Sequence, residues 1–137
     1  MADHSGYNQP VIDAFRANSG YVEHFGRGLV LLHHTGAKSG VDRVSPVAAM
    51  KTTQGSWLVS ASKAGAPEHP GWYHNLKAHP DVTIETPDDG VVAVHATVLE
   101  GDERDAAWQE FTKDRPGFLE YQTKTSRRIP MVRLTAR

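Results

Sequence analysis

Six short apolar or alternating runs, separated by glycine, proline and acidic residues, dominate the hydrophobic pattern of this chain. In the clearest run, valine or alanine stands at positions 92, 94, 96 and 98, which is the spacing of a strand buried on one face. The turn sequences at 52–55 and 87–90 are typical of β-hairpins. The pattern predicts strands at residues 28–34, 43–50, 56–60, 81–85, 91–99 and 129–134.

Helical patterns are fewer and shorter. Asn8 is predicted to cap a first helix that ends at Gly20. Further helices are predicted within residues 71–78 and from about 102 to the proline and glycine at 116 and 117, with a short one beyond them. Pro130, inside the last predicted strand, indicates an edge or bulged position. Together these elements predict a mainly β (α+β) fold, a small antiparallel barrel with peripheral helices.

The composition limits the class of protein. A length of 137 residues suits a single domain, whose residues 1–25 are predicted to be an N-terminal helical segment. The absence of cysteine excludes thiolate catalysis and disulfides. A net charge of −1 gives no sign of nucleic-acid binding, and no apolar run reaches the roughly 18–20 residues of a membrane span. We expect a cytoplasmic protein without an integral membrane segment; peripheral membrane contact and a homodimer are left open.

The loop at residues 35–46 is the first candidate for chemistry. Two glycines, several hydroxyl groups and the cations Lys38 and Arg43 crowd a short connection between two predicted strands. Glycine lets the backbone approach a ligand closely, and exposed N–H groups and cations attract anions. The segment therefore predicts a site for a small anionic ligand, and a merely solvated hairpin is the alternative.

Residues 60–76 form the second candidate segment, in which small residues and Lys63 precede an aromatic pair. Trp72 and Tyr73 could flank a planar ring, or Trp72 could belong to the core with Tyr73 covering it. No histidine spacing resembles a metal-binding motif, and nothing marks a protein nucleophile. If the protein is an enzyme, a bound cofactor is expected to carry the reactive chemistry.

Four motifs in fixed order carry a resemblance to a known family: Thr35-Gly36-x-Lys38-Ser39-Gly40, Arg43-Val44-x-Pro46, Ala61-Ser62-Lys63-x-Gly65-Ala66 and Pro70-x-Trp72-Tyr73-x-Asn75-Leu76-x-Ala78-x-Pro80. They resemble the deazaflavin (coenzyme F-420)-dependent nitroreductase and quinone reductase family, split β-barrels related to the barrels that bind flavin mononucleotide. The resemblance runs from about residue 30 to the C-terminus and includes Tyr121-Gln122 and Arg127-x-Ile129-Pro130.

The resemblance implies a set of site residues. Those lining the cofactor are Ala37, Lys38, Ser39, Arg43, Val44, Ser45, Pro46, Val47, Ala48, Ser60, Ala61, Ser62, Lys63, Gly71, Trp72, Tyr73, His74 and Asn75. Those facing the substrate are Ala48, Ser62, Phe118 and Tyr121. No metal is implied.

The resemblance also implies an activity. It is hydride transfer from reduced F-420 to a small electron-poor acceptor (a quinone, enone or nitro compound), with Tyr121 as proton source or oxyanion stabiliser. A nitroimidazole-activating member of the family has tyrosines at the positions of Ala48, Arg115 and Phe118, so only Tyr121 keeps a phenol on the substrate side and the reduction of nitroimidazoles is left open. A non-enzymatic F-420 carrier and a barrel that prefers flavin mononucleotide remain the alternatives.

Overall fold

A computed structural model describes residues 5–23 and 25–137. The strands are β1 (Leu29–Thr35), β2 (Asp42–Lys51), β3 (Trp57–Ser60), β4 (Asp81–Thr86), β5 (Gly90–Val98) and β6 (Met131–Ala136). The helices are α1 (Ser5–Ala17), α2 (Gly71–Ala78), α3 (Gly101–Lys113) and α4 (Gly117–Thr123), with a 3-10 turn at Lys63–Gly65.

The six strands close into an antiparallel barrel in the order β1-β2-β3-β6-β5-β4, because β1 pairs with both β2 and β4. Alternate side chains of each strand fill the interior, among them Leu32, Val59, Ile84, Val94 and Leu134, all almost fully buried. The predicted barrel is confirmed, and each predicted strand lies within two residues of the observed one.

Helices cover the end and the outer face of the barrel. The α2 residues Tyr73 and Leu76 belong to the interior cluster, so α2 closes one barrel end. On the outside, α1 packs on β1 through Ile12 and Phe15, and α3 packs on β3 and β6 through Phe111. Two outer clusters result, which we call the α1 cluster and the α3 cluster.

Two sequence expectations are wrong in detail. Asn8 does not cap α1, because the helix already begins at Ser5 and Asn8 lies inside it. Pro130 is not an edge or bulge residue of a strand, because β6 begins at Met131, which pairs with Ser60. The missing N–H of Pro130 therefore falls outside the ladder, and its carbonyl accepts a hydrogen bond from the Ala61 N–H at 3.0 Å.

Candidate cofactor site

The β1–β2 loop is a tight turn whose exposed tip carries Ala37, Lys38 and Ser39. The Gly36 N–H donates to the Val41 carbonyl at 2.9 Å, and the Val41 N–H donates to Ser39 Oγ at 3.2 Å. A Cβ at Gly36 would collide with Ser39 Oγ, so a larger residue there would displace the Ser39 side chain. Within the described part of the chain, Lys38 has no hydrogen-bond or ion-pair partner.

A chain of hydrogen bonds ties this loop to α2. The Ala37 N–H donates to Asn75 Oδ1 at 2.8 Å, so the amide of Asn75 presents its Nδ2 donor to His34 Nδ1 at 2.9 Å. His34 Nδ1 is thus an acceptor, and its Nε2 lies 2.9 Å from Ser45 Oγ. Asn75 thus fixes the loop against the helix.

The ring of His34 is uncharged. It is 5% exposed, and burial, with smaller contributions from Arg43 and His33, lowers its pKa to about 4. The neutral ring matches the tautomer that Asn75 imposes, with the proton on Nε2. His34 was not among the predicted site residues, because its role depends on a partner 41 residues away.

The predicted segment of β2 divides between two faces. Val47 is buried in the barrel interior and Ser45 bonds His34, whereas Val44 and Ala48 face the α1 cluster. Ala48 also packs against the α3 cluster, so it lies at the seam between the two outer clusters. Pro46 pairs with Leu31 of β1. Val47 and the fully buried Ala61 therefore present no side chain to a surface ligand.

Ser60 supplies an unsatisfied group in the same region. Its side chain is 5% exposed, and its Oγ has no hydrogen-bond partner among the described residues. Side chains two residues apart in a strand point to the same face, and Leu58 belongs to the α3 cluster outside the barrel. The Ser60 hydroxyl therefore also lies on the outer face of the barrel. A buried hydroxyl without a partner is uncommon and suits a site whose ligand supplies one.

The turn after β3 has a strained backbone. Lys63 has φ +44°, and Gly65 has φ +81°. A Cβ on Gly65 would lie 2.7 Å from the carbonyl oxygen of Tyr121, so the turn packs directly against α4. The Lys63 ammonium pairs with Glu68 at 2.8 Å and lowers the pKa of that carboxyl group.

Three side chains that the sequence reasoning left without a role hold this turn and the segment before β6. Arg127 donates to carbonyls of the turn, Gln122 Nε2 donates to the Arg127 carbonyl at 2.7 Å, and the buried Arg104 donates twice to the Ile129 carbonyl. Gln122 and Arg127 stood in recognisable motifs, but a motif does not reveal which carbonyls its side chains reach.

The aromatic pair of α2 is mostly part of the core. Tyr73 is buried in the barrel interior, and its ring centroid lies 4.7 Å from that of His69 and 5.6 Å from that of His74. Trp72 is partly buried against the same cluster. Gly71 and His74 are exposed at the start of the helix. The core interpretation therefore assigned the two residues the wrong way round, because Tyr73 is the buried one and Trp72 keeps an accessible part.

The predicted substrate residues lie on the outer face. Phe118 packs edge-on against Phe111 and against Tyr121, with ring centroids 5.0 and 5.2 Å apart. Phe118 and Ala48 both pack against the α3 cluster. The Tyr121 hydroxyl makes no hydrogen bond with the described residues. Ser62, in the adjoining turn, is buried.

A cavity of about 320 Å³ lies on the other side of the segment before β6 and shares only Tyr73 with the predicted cofactor residues. Its two guanidinium groups are already engaged, since Arg104 bonds the Ile129 carbonyl and Arg128 pairs with Asp105. We therefore place the candidate site at the seam rather than in this cavity.

Comparison with known proteins places the chain in a family. The model of the F-420H(2)-dependent quinone reductase family matches residues 9–136. The chain belongs to this family. A curated F-420H(2)-dependent quinone reductase of Mycobacterium tuberculosis is 37% identical over 129 residues, covering 90% of this chain and 85% of the relative.

Solved structures agree with this assignment. That of an F-420-H(2)-dependent reductase (FDR-A) is 41% identical and covers 79% of this chain and 94% of that chain, with a TM-score of 0.70. Another, described as a domain-swapped dimer, is 36% identical and covers 94% of this chain and 96% of that chain, with a TM-score of 0.72. The family, the split-barrel fold and the enzyme class predicted from the sequence are confirmed.

In residues 5–23 and 25–137, no helix is long and apolar enough to cross a membrane. The same part of the chain contains no group of histidine, aspartate and glutamate side chains that could hold a metal ion.

Proposed function

We propose that this protein reduces quinones with reduced coenzyme F-420, held over the outer face of β2 and β3 between the β1–β2 loop and α4. The observation that carries the proposal is the family match over residues 9–136, nearly the whole chain. Enones and nitro compounds are a further part of the proposal, because they too are electron-poor conjugated acceptors.

The residues at the seam fit this cofactor. Ser60 Oγ is a buried hydroxyl in need of a partner, and Ala48 beside it has a side chain small enough to leave room for a ring. Lys38, exposed and without a described partner, supplies a positive charge suited to the anionic tail of the cofactor. The strained turn that follows β3 carries Ser62, which is buried, and Lys63, whose ammonium group pairs with Glu68.

The chain's own residues have definable tasks in the reaction. When bound, reduced F-420 supplies a hydride from C5 of its deazaflavin ring. Hydride transfer to a quinone leaves a hydroquinone anion that takes up one proton, and the Tyr121 hydroxyl can donate that proton to the acceptor oxygen and be reprotonated from solvent. Phe118 and Ala48 provide apolar surface for a flat acceptor, and the packing of Phe118 on Phe111 fixes that surface.

Turnover of different acceptors tests the proposal. Purified protein is mixed with reduced F-420 and, in separate reactions, menadione, a cyclic enone and a nitroimidazole, while the oxidised cofactor is followed by absorbance. We expect the quinone to be reduced fastest and the nitroimidazole slowest. Tight cofactor binding with no reduction of any quinone would instead indicate a carrier.

A further inference from the structure

We propose that Arg127 is a positioning residue of the cofactor site. It holds residues 61–66 in the turn conformation that places Ser62 and Lys63 at the bound cofactor. Arg127 acts through the main chain of this turn and not on the reacting atoms. The inference rests on the proposed function, since the shape of the turn matters to the reaction only if the turn helps to hold F-420.

The guanidinium of Arg127 is surrounded by main-chain acceptors of a single segment. Its Nε donates to the Ala66 carbonyl at 2.9 Å, its Nη1 to the Ala61 carbonyl at 3.1 Å and its Nη2 to the Ser62 carbonyl at 2.7 Å. Nη1 also lies 2.9 Å from His69 Nδ1. All three guanidinium nitrogens are thus engaged between the end of β3 and the start of α2.

The turn needs such a constraint. Lys63 adopts φ +44°, a left-handed conformation that non-glycine residues rarely occupy, and such conformations persist only where the surroundings impose them. Two main-chain hydrogen bonds within the turn oppose its unwinding: from the Gly65 N–H to the Ser62 carbonyl at 2.9 Å and from the Ala66 N–H to the Lys63 carbonyl at 3.0 Å. Arg127 binds carbonyls on both sides of Lys63 and so closes the turn.

Arg127 is itself fixed from behind. Gln122 on α4 donates from Nε2 to the Arg127 carbonyl and accepts the Ile129 N–H at Oε1, at 2.7 and 3.0 Å. The same helix carries Tyr121, whose carbonyl oxygen lies against Gly65. These contacts therefore fix the position of the strained turn relative to Tyr121, the predicted proton donor.

Arginine suits this task better than lysine. Its planar fork offers five N–H donors in fixed directions, whereas an ammonium group cannot reach carbonyls on both sides of the turn together. Arg127→Lys should therefore keep part of the constraint on the turn, and Arg127→Ala should keep none of it. Arg128→Ala is the matched control, because Arg128 is the neighbouring arginine and pairs with Asp105 outside the turn.

The first experiment needs no cofactor. Hydrogen–deuterium exchange of the amides of Gly65 and Ala66 is measured in the parent and in the three arginine variants. We expect exchange to accelerate on the order of tenfold or more in Arg127→Ala, less in Arg127→Lys and not at all in Arg128→Ala. Unchanged protection in both Arg127 variants would overturn the proposal.

The second experiment links the turn to the cofactor. We expect the Kd and KM for F-420 to rise on the order of tenfold or more in Arg127→Ala. Ile84→Val, a change in the barrel interior, should lower Tm without moving the F-420 affinity, which separates positioning from general destabilisation. Unchanged F-420 affinity in a variant with a deprotected turn would contradict the proposal.

The two experiments separate this inference from the proposed function. If the parent protein binds no F-420, the proposed function fails, and the proposal fails with it as a statement about the cofactor, whatever the exchange data show of the turn. If Arg127→Ala does not fold, Arg127→Lys carries both measurements, and we expect partly accelerated exchange of the turn together with a smaller rise in the Kd for F-420. Parent-like protection together with parent-like F-420 affinity in Arg127→Lys would reject the proposal.

Discussion

Nδ2 of Asn75 lies 2.9 Å from Nδ1 of His34, and this contact joins the helix that closes the barrel to the strand that leads into the cationic loop. The other end of the amide accepts the Ala37 N–H. One asparagine side chain therefore sets the position of the loop, and the histidine that orients it is buried and neutral.

Loss of this amide should loosen the loop. Asn75→Ala leaves the acceptor of His34 and the donor of Ala37 without their partner, and such a change typically costs about 1–3 kcal/mol. We expect a lower free energy of unfolding in urea and weaker F-420 binding. Asn18→Ala, which removes an exposed bond to the Ala14 carbonyl, is the control and should change stability by less than about 0.5 kcal/mol. Equal stability of the two variants would contradict the proposed role of Asn75.

His34 should make stability depend on pH. Its pKa is about 4 in the folded protein against 6.5 for an ordinary histidine, so between these values the unfolded chain binds a proton that the folded chain does not. The contribution of His34 to the free energy of unfolding is fully present above pH 6.5, the ordinary histidine pKa. It is lost as the pH falls toward the pKa of about 4 in the folded protein, by up to about 1.4 kcal/mol per pH unit.

Urea unfolding at about pH 7 and about pH 5 measures this effect, since ordinary carboxyl groups titrate mostly below that interval. His34→Gln removes the titrating ring and should flatten the dependence. His69, whose pKa is also lowered by burial and by Arg127, contributes equally to both proteins. If the free energy of unfolding changes with pH equally in the parent and in His34→Gln, the His34 ring is not the cause of the pH dependence.

Lys38 should bind the anionic tail of the cofactor. Lys38→Ala removes a charge-assisted contact, which is typically worth about 1.5–3 kcal/mol, so F-420 affinity should fall roughly tenfold to a hundredfold. The loss should be smaller for a cofactor with a shortened glutamyl tail. Lys113→Ala, at the far end of α3, should leave the affinity unchanged in the same fluorescence titration. Equal F-420 affinities of the two lysine variants would show that the β1–β2 loop does not bind the cofactor.

Tyr121 should affect turnover rather than cofactor binding. Tyr121→Phe keeps the ring that packs on Phe118 and removes only the hydroxyl. A lost general acid typically lowers the rate about a hundredfold, and access of water to the site would reduce that effect. Tyr21→Phe, at an exposed tyrosine, is the control. Unchanged turnover of menadione in Tyr121→Phe would assign this residue to packing alone.

Local patterns in the sequence were sufficient for the barrel. Strand periodicity depends on neighbouring residues, and the turns at 52–55 and 87–90 have sequences that favour hairpins, so strand bounds could be predicted closely. The cationic loop was also recognisable, because Gly36 and Lys38 stand together in the chain.

Contacts between distant segments could not be predicted in this way. Arg127 bonds the Ser62 carbonyl 65 residues away, and a contact between segments so far apart leaves no pattern in a sequence. Likewise, the assignment of Val47 to the interior and Ala48 to the seam required the register of β2 against β1. Tyr73 was open to two interpretations because burial depends on how α2 closes the barrel.

A competitive titration tests the cofactor assignment most directly. The protein is titrated with oxidised F-420 and with flavin mononucleotide under identical conditions, and a Lys38→Ala, Arg127→Ala double variant is measured in parallel. We predict tighter binding of F-420 than of flavin mononucleotide, and a loss of F-420 affinity in the double variant that exceeds either single loss. Tighter binding of flavin mononucleotide, or F-420 binding that both substitutions leave unchanged, would contradict the site described above.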